Sequence, residues 1–420
     1  MNKQILHTVE GLRDIHPLDT RKKQQIERNI LDLFNHYGYE QVQTPTFEYY
    51  DIYHYERGTE DSKNLYKFFN REGDILSLRP DVTPSIARYT ATFYNHEKSP
   101  KRFSYLGNVF YNNENYQGKL REYTQAGVEC IGIANADADA ESIALAINAL
   151  LASGLQEFQL DIGHAGFFKG LAAEAGLSHE FSEEVRKLID DKNYIAIEEL
   201  LEDLKINEAA KKGLLELPTL FGQEEVLERA KELTSNAVAL GAIERIKEVY
   251  GILKDYELSE YVSFDLGMVS QLQYYTGLIF KGYTYGTGVS VVDGGRYDAL
   301  LSTFAYDMPA IGFAIRIDEL LNAITRQGIT IEVPSINTLI VYESPYRKTA
   351  IQLAEVLRRQ GMTVELDTQN HGLDNGKLYG QKKSIGGMMY INDANTVQLI
   401  DLKTDDTKIV NLSDLSKGGL

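Results

Sequence analysis

The sequence has no tryptophan, one cysteine, and a shortage of positive charge. With Cys130 alone there is no internal disulfide, which agrees with a reducing compartment. No stretch approaches the roughly 18 to 20 apolar residues that a membrane helix needs. The opening MNKQILHTVEGLRD lacks the apolar run of a signal peptide, so a cytoplasmic location is expected. Eight histidines (His7, His16, His36, His54, His96, His164, His179 and His371) show no HxxxH spacing, and CxxC is absent. Neither a structural metal nor a cofactor is therefore expected. Lys and Arg number 43 against 61 Asp and Glu, a net charge of -18. This removes the broad basic footprint that phosphate backbones require, so tRNA binding is not expected. What is present is a 420-residue chain, 43% hydrophobic, able to bury the cores of two or three domains.

Apolar spacing and breakers divide the chain. Asp19 or Thr20 can cap a helix with Ile26, Ile30, Phe34 and Tyr37 on one stripe and Gly38 as its stop. YEQVQTPTFE follows as an extended run, broken by Pro45, which cannot donate a ladder hydrogen bond. SYLGNVFY and EYTQAGVECIG, separated by a polar loop, predict a long antiparallel hairpin. Asp139 is expected to cap a helix whose face is Ile143, Ile147, Leu150 and Leu151, ended by Gly154 and followed by the strand FQLDI. Residues 165–255 turn charged and helical, as an inserted subdomain would. Strand patterns return at VSFDLGMV, LIFKGYTY and GVSVVDGG, and MPAIGFAIRIDELLNAI passes directly from strand to helix. From residue 330 the strands NTLIVYE, TVELD, GGMMYIN and TVQLIDL, with the helix RKTAIQLAEVLRRQG, predict a small α/β domain.

Taken singly, the motifs have bland readings. GGRYD is a turn, Tyr274 and Tyr275 are core aromatics, Arg79 holds a turn, and Glu129 is a satisfied buried carboxylate. Taken in order they do not. GLRDIHP, GYEQVQTPTFE, LRPDVTPSIAR, REYTQAGVECIG, LQYYTG, GGRYDALL and PAIGFAIRIDELL follow the sequence of motifs of a class II aminoacyl-tRNA synthetase, and in detail the chain resembles histidyl-tRNA synthetase. The resemblance implies an α+β fold: a class II antiparallel sheet flanked by helices over residues 1–329, with the helical insertion at about 165–255. It also implies that residues 330–420 form a domain similar to the anticodon-binding domain.

In that family an acid, a threonine, a glutamine, a glutamate and two tyrosines hold histidine. The matching positions here are Asp81, Thr83, Gln125, Glu129, Tyr275 and Tyr297, with Asp81 one methylene shorter than the usual glutamate. Such a set suits an amino acid: carboxylates accept from an ammonium, and an imidazole can lie against tyrosine rings. The positions that grip ATP differ. The arginine of the second motif is Tyr111, the arginine before the tyrosine pair is Ser270, and the arginine of the third motif is Glu319. Arg316 stands where the family has glycine, and Gln273 where it has aspartate. Removing one preorganised donor costs roughly two to three powers of ten in rate. Aminoacylation is therefore not expected unless Lys119, Arg121, Arg296 or Arg316 compensates.

A kept pocket with a lost nucleotide grip is similar to the regulatory subunits of ATP phosphoribosyltransferase. That likeness implies no catalysis by this chain, a short-form catalytic subunit and L-histidine as partners, and a homodimer through the core within a hetero-oligomer. A working synthetase and a scaffold without a ligand stay open as alternatives.

Overall fold

The computed structural model describes residues 6–53, 62–112, 120–191, 193–204, 206, 208–269, 274–333 and 336–415. Helix α1 (Pro17–His36) begins earlier than expected, because Pro17 sits in its first turn and His16 precedes it in an extended conformation. Ile26, Ile30 and Phe34 form its buried stripe, and Gly38 ends the turn at φ +77°. Pro45 divides the next run into β1 (Glu40–Gln41) and β2 (Phe47–Tyr49), which enter different sheets. With β3 (Lys67–Phe69) and β4 (Ile75–Leu78), β2 forms a small sheet in the order β2-β4-β3, from which the chain enters α2 (Thr83–Phe93).

The hairpin is β5 (Lys101–Phe110) with β6 (Glu122–Ile131), antiparallel along its whole length. Then come α3 (Ala136–Ala152), β7 (Phe158–His164), α4 (Ala165–Glu174), α5 (His179–Asp190), α6 (Tyr194–Asp203), α7 (Glu208–Glu216), β8 (Phe221–Gly222), α8 (Glu225–Glu232) and α9 (Ala237–Asp255). The chain returns through β9 (Val262–Asp265), β10 (Leu278–Thr284), β11 (Val292–Arg296) and β12 (Ala310–Arg316), which runs without a loop into α10 (Ile317–Arg326). Among the described residues the main sheet has nine strands in the order β1-β5-β6-β12-β11-β10-β7-β9-β8. It is antiparallel except where β1 meets β5 and β7 meets β9.

One sequence expectation needs correction. Asp139 does not cap α3: the Asn135 side chain accepts from the Ala138 N–H at 3.1 Å, and Asp139 lies one turn inside, fully buried. Its partner is the equally buried Arg296, whose Nε and one terminal nitrogen reach Asp139 Oδ1 at 2.8 and 2.5 Å, while Arg245 Nε lies 3.4 Å from the other oxygen. The inserted helices pack on the main core. Phe167, Leu171, Ile189, Leu201, Leu214 and Ile246 share one buried cluster with Ile26, Val128 and Phe313, and β8 adds an edge strand to the main sheet. Accordingly α3, packed among α1, α9 and β12, is buried nearly all round instead of on one face.

By its contacts the chain divides into Met1–Ile331 and Glu332–Leu420. The second unit comprises β13 (Thr338–Tyr342), α11 (Arg347–Arg359), β14 (Val364–Leu366), α12 (Gly372–Lys382), β15 (Gly387–Ile391), β16 (Thr396–Asp401), β17 (Thr407–Asn411) and α13 (Leu412–Leu415). Its sheet runs β14-β13-β15-β16-β17, with the first three strands parallel. Among the described residues no helix is long and apolar enough to cross a membrane.

The buried pair generates a prediction. Arg296→Met leaves Asp139 charged in the core and should cost about 3–5 kcal/mol in urea unfolding. Adding Asp139→Asn should recover part of that loss; a single variant as stable as the parent would show that the pair carries no structural weight.

Candidate functional site

Strand alternation gives the sheet two faces, one in the main core and one that carries a second apolar cluster and the cavity. Register places Phe280, Gly294, Phe313 and Val128 in one row across β10, β11, β12 and β6, and the side chains of Phe280, Phe313 and Val128 enter the core. The next row, Ile279, Gly295, Gly312 and Glu129, points to the opposite face. Two glycines there leave a hollow. A β-carbon on Gly312 would lie 1.8 Å from Glu129 Oε2, and one on Gly295 would lie 2.7 Å from the Tyr275 ring. The result is a cavity of about 350 Å³, within the range of small-molecule sites.

All six residues expected to hold the amino acid line this cavity: Asp81, Thr83, Gln125, Glu129, Tyr275 and Tyr297. Glu129 has no exposed surface. Thr83, in the first turn of α2, donates to its Oε1 at 2.6 Å, and the Tyr297 hydroxyl donates to Oε2. Two neutral donors do not replace water for a carboxylate, so burial pushes Glu129 up to about 8. Asp81, just before α2, accepts from the Val82 N–H at 2.8 Å and the Tyr274 hydroxyl at 3.1 Å, and burial raises it too. Tyr274 stands 4.8 Å from Tyr275 and edge-on to Tyr297 at 5.7 Å, so the three rings form one wall. Burial pushes their hydroxyls well up, which keeps them protonated donors. Gln125 lines the cavity and is 7% exposed, and its side-chain oxygen has no hydrogen-bond partner among the described residues. A buried acceptor in that state is suited to a ligand donor.

Of the positions expected to have lost an ATP contact, Tyr111 and Glu319 line the cavity, while Ser270, like Gln273 and Lys119, lies outside the described residues. Arg296 is engaged with Asp139, the Ile133 carbonyl and Asp298, so it is not the compensating cation. Arg79 is structural. It is buried, donates to the carbonyls of Asn108, Thr44 and Pro45, and fills the space that a β-carbon on Gly107 would need. Sequence reasoning missed Tyr123, Lys281 and Asp293, which also line the cavity. Period-two alternation back from Glu129 through Gln125 reaches Tyr123, but the register that brings Lys281 and Asp293 opposite one another is not local in sequence.

Sheet, hairpin, strand-to-helix joint and cavity together define a class II aminoacyl-tRNA synthetase core with an amino-acid-sized pocket. The histidyl-tRNA synthetase family model matches residues 11–320. The ATP phosphoribosyltransferase regulatory subunit of Ruminiclostridium cellulolyticum is 42% identical over 415 residues, covering 99% of both chains. That of Acetivibrio thermocellus is 42% identical, over 98% of this chain and 99% of its own. A crystal structure described as an ATP phosphoribosyltransferase regulatory subunit/histidyl-tRNA synthetase from Bacillus halodurans is similar at TM-score 0.82 and 33% identity, covering 93% of this chain and 99% of that one. A histidyl-tRNA synthetase from Nostoc shares the fold at TM-score 0.81 and 20% identity, over 98% of each chain. The chain belongs to the family of ATP phosphoribosyltransferase regulatory subunits, paralogues of histidyl-tRNA synthetase.

The raised Glu129 predicts a pH signature. Between the ordinary carboxylate value and about 8 the folded chain holds a proton that the unfolded chain has released. Stability therefore falls as pH rises through that window, by up to ~1.4 kcal/mol per pH unit from this group. Glu129→Gln, which cannot titrate, should show a shallower decline in urea unfolding between pH 5 and pH 8; parallel curves would mean that Glu129 ionises normally.

Proposed function

We propose that this chain is the non-catalytic regulatory subunit of an ATP phosphoribosyltransferase, needed by a short-form catalytic subunit for the first step of histidine biosynthesis and for feedback by L-histidine. The observation that carries this reading is a divided cavity. Its amino-acid end is complete, with Asp81, Thr83, Gln125, Glu129, Tyr275 and Tyr297 converging on one hollow, while its nucleotide end presents Tyr111 and Glu319 where the synthetase pattern has arginines. Forming an aminoacyl adenylate develops charge on the α-phosphoryl group, and fixed cations are the main means of stabilising it. A carboxylate at that end repels triphosphate.

In this reading histidine places its imidazole against the tyrosine wall with an N–H on Glu129, and its ammonium toward Asp81 and the unpartnered oxygen of Gln125. The protein works in the cytoplasm and pairs with a second copy through the synthetase-like core. The pairing is supported by the small sheet, where Phe47 (50% exposed), Tyr49 (58%) and Phe68 (37%) share one outward face. The C-terminal unit is the feature that favours a working synthetase instead. Its acidic run DLKTDDTK and the net charge of -18 count against RNA, and it is assigned here to contacts within the assembly.

Mixing the chain with a short-form catalytic subunit should raise phosphoribosyl-ATP formation, and L-histidine should inhibit the mixture. Glu129→Gln should weaken histidine binding in calorimetry by about ten- to a hundredfold. Histidine-dependent ATP–pyrophosphate exchange should stay at background; turnover there would establish a synthetase. A catalytic subunit indifferent to this chain would end the regulatory reading.

A further inference from the structure

The acidic wall of the cavity accounts for the positive end of an amino acid and leaves its carboxylate without a partner. Among the described residues two cations line the cavity, Lys281 and Arg316. Both lie on the same face of the sheet as Glu129. Lys281 is the register partner of Asp293 across β10 and β11, and Arg316 that of Gln125 across β12 and β6. Arg316 is bonded to Asp293, with a terminal nitrogen 2.9 Å from Oδ2, and its guanidinium lies 5.8 Å from the centre of the Tyr123 ring. Asp293 holds Arg316 firmly charged, and the side chain keeps 30% of its surface exposed.

Cross-strand neighbours stand about 4.5–5.5 Å apart at their β-carbons. An α-amino acid carries its ammonium and carboxylate on a single carbon, so one acceptor and one fork of donors a single strand apart match it. Gln125 offers the acceptor, buried and unpartnered, and Arg316 the donors. Asp293 has another donor when Arg316 turns away: the Ser290 hydroxyl, its single hydrogen shared between the two oxygens at 2.8 and 2.9 Å, with Lys281 as the cross-strand neighbour. Glu319 at the same end adds negative charge, which tolerates one carboxylate better than a polyphosphate.

We propose that Arg316 recognises the α-carboxylate of the amino-acid ligand, exchanging its bond to Asp293 for one to the ligand. The assignment rests on the histidine-pocket reading above. It gives the cavity two arrangements of one ion pair, an internal pair when empty and a ligand pair when filled, with Asp293 released toward Ser290 and Lys281. It also explains why arginine stands at a position where the synthetase pattern has glycine: its side chain takes up room at the nucleotide end and supplies a cation to the amino-acid end.

The test is calorimetry on the full chain with L-histidine and with L-histidinamide, whose amide removes the carboxylate charge. In Arg316→Gln the ratio of histidine to histidinamide affinity should fall by about ten- to a hundredfold relative to the parent, the weight of a charge-assisted pair. Arg316→Lys should restore part of the ratio, whereas Glu129→Gln should weaken both ligands together. An Arg316→Gln variant that weakens both ligands equally would make the arginine merely structural and overturn the assignment. If the parent chain takes up neither ligand, the histidine-pocket reading itself falls, and this assignment with it.

Discussion

A carboxylate with no exposed surface sits in the middle of a nine-stranded sheet, and much of the site is arranged around keeping it there. Glu129 can occupy that position only because Gly312, its register partner on β12, has no side chain. It is tolerable there only because Thr83 and Tyr297 donate to its two oxygens. Thr83 opens α2, and Tyr297 follows the last residue of β11, so a single buried group ties α2 and the end of β11 to β6. Arg296, next to Tyr297, is in turn fixed by Asp139 of α3. The ion pair that holds the sheet to its buried helix thereby also sets where Tyr297 stands.

The cavity is polarised along the strands. Its inner part is acidic and aromatic, with Asp81, Glu129 and the tyrosine wall. Its outer part mixes signs, with Lys281, Arg316, Asp293 and Glu319. A zwitterion is stabilised at both ends of such a field, while a triphosphate meets two carboxylates for every two cations. In the proposed reading binding and adenylation therefore separate physically: the features that would hold an amino acid lie on β6, α2 and the tyrosine wall, and those that would stabilise a pentavalent phosphorus lie elsewhere. Losses within one constellation are not additive, and two of the cations that could compensate, Arg296 and Arg316, are both engaged by aspartates.

Much of this was legible in the sequence because it depends on local pattern. Breakers placed the hairpin, the strand-to-helix joint and the division at Pro45, and the ordered motifs brought six separated residues into one expected pocket. What was not legible depends on register or on burial by distant elements. Asp139 has the sequence context of a cap, yet it is a buried ion-pair partner, because Arg296 is 157 positions away. Lys281 and Asp293 have no motif and meet only through the antiparallel register of β10 and β11. In the C-terminal unit, α12 was overlooked because its run GLDNGKLYGQK carries two interior glycines, and β17 because TKIVN follows an acidic turn. Both glycines have packing reasons: a β-carbon on Gly376 would meet Val341 at 2.8 Å, and one on Gly380 would meet Leu402 at 2.5 Å.

A regulator must bind its effector with different affinity in two states, or the effector shifts nothing. An unusually rigid pocket would be a poor regulator, and this one joins a rigid part to an exchangeable part. Glu129, Thr83 and Tyr297 are locked by mutual hydrogen bonds, which supports chemical selectivity. Arg316 and Asp293 form a partly exposed pair whose members each have a second partner within reach, which supports a change of arrangement at low cost. Arg316 is the last residue of β12, directly before α10, and the second residue of α10 is Asp318, which is buried and bonded to Arg13 and Lys23 as well as to the Thr124 N–H. A rearrangement of Arg316 is thus two residues from a node joining α10, α1, the segment before it and β6. In the proposed reading Glu319 at this strand-to-helix joint disfavours nucleotide, while the connection from the pocket to the helices outside it remains.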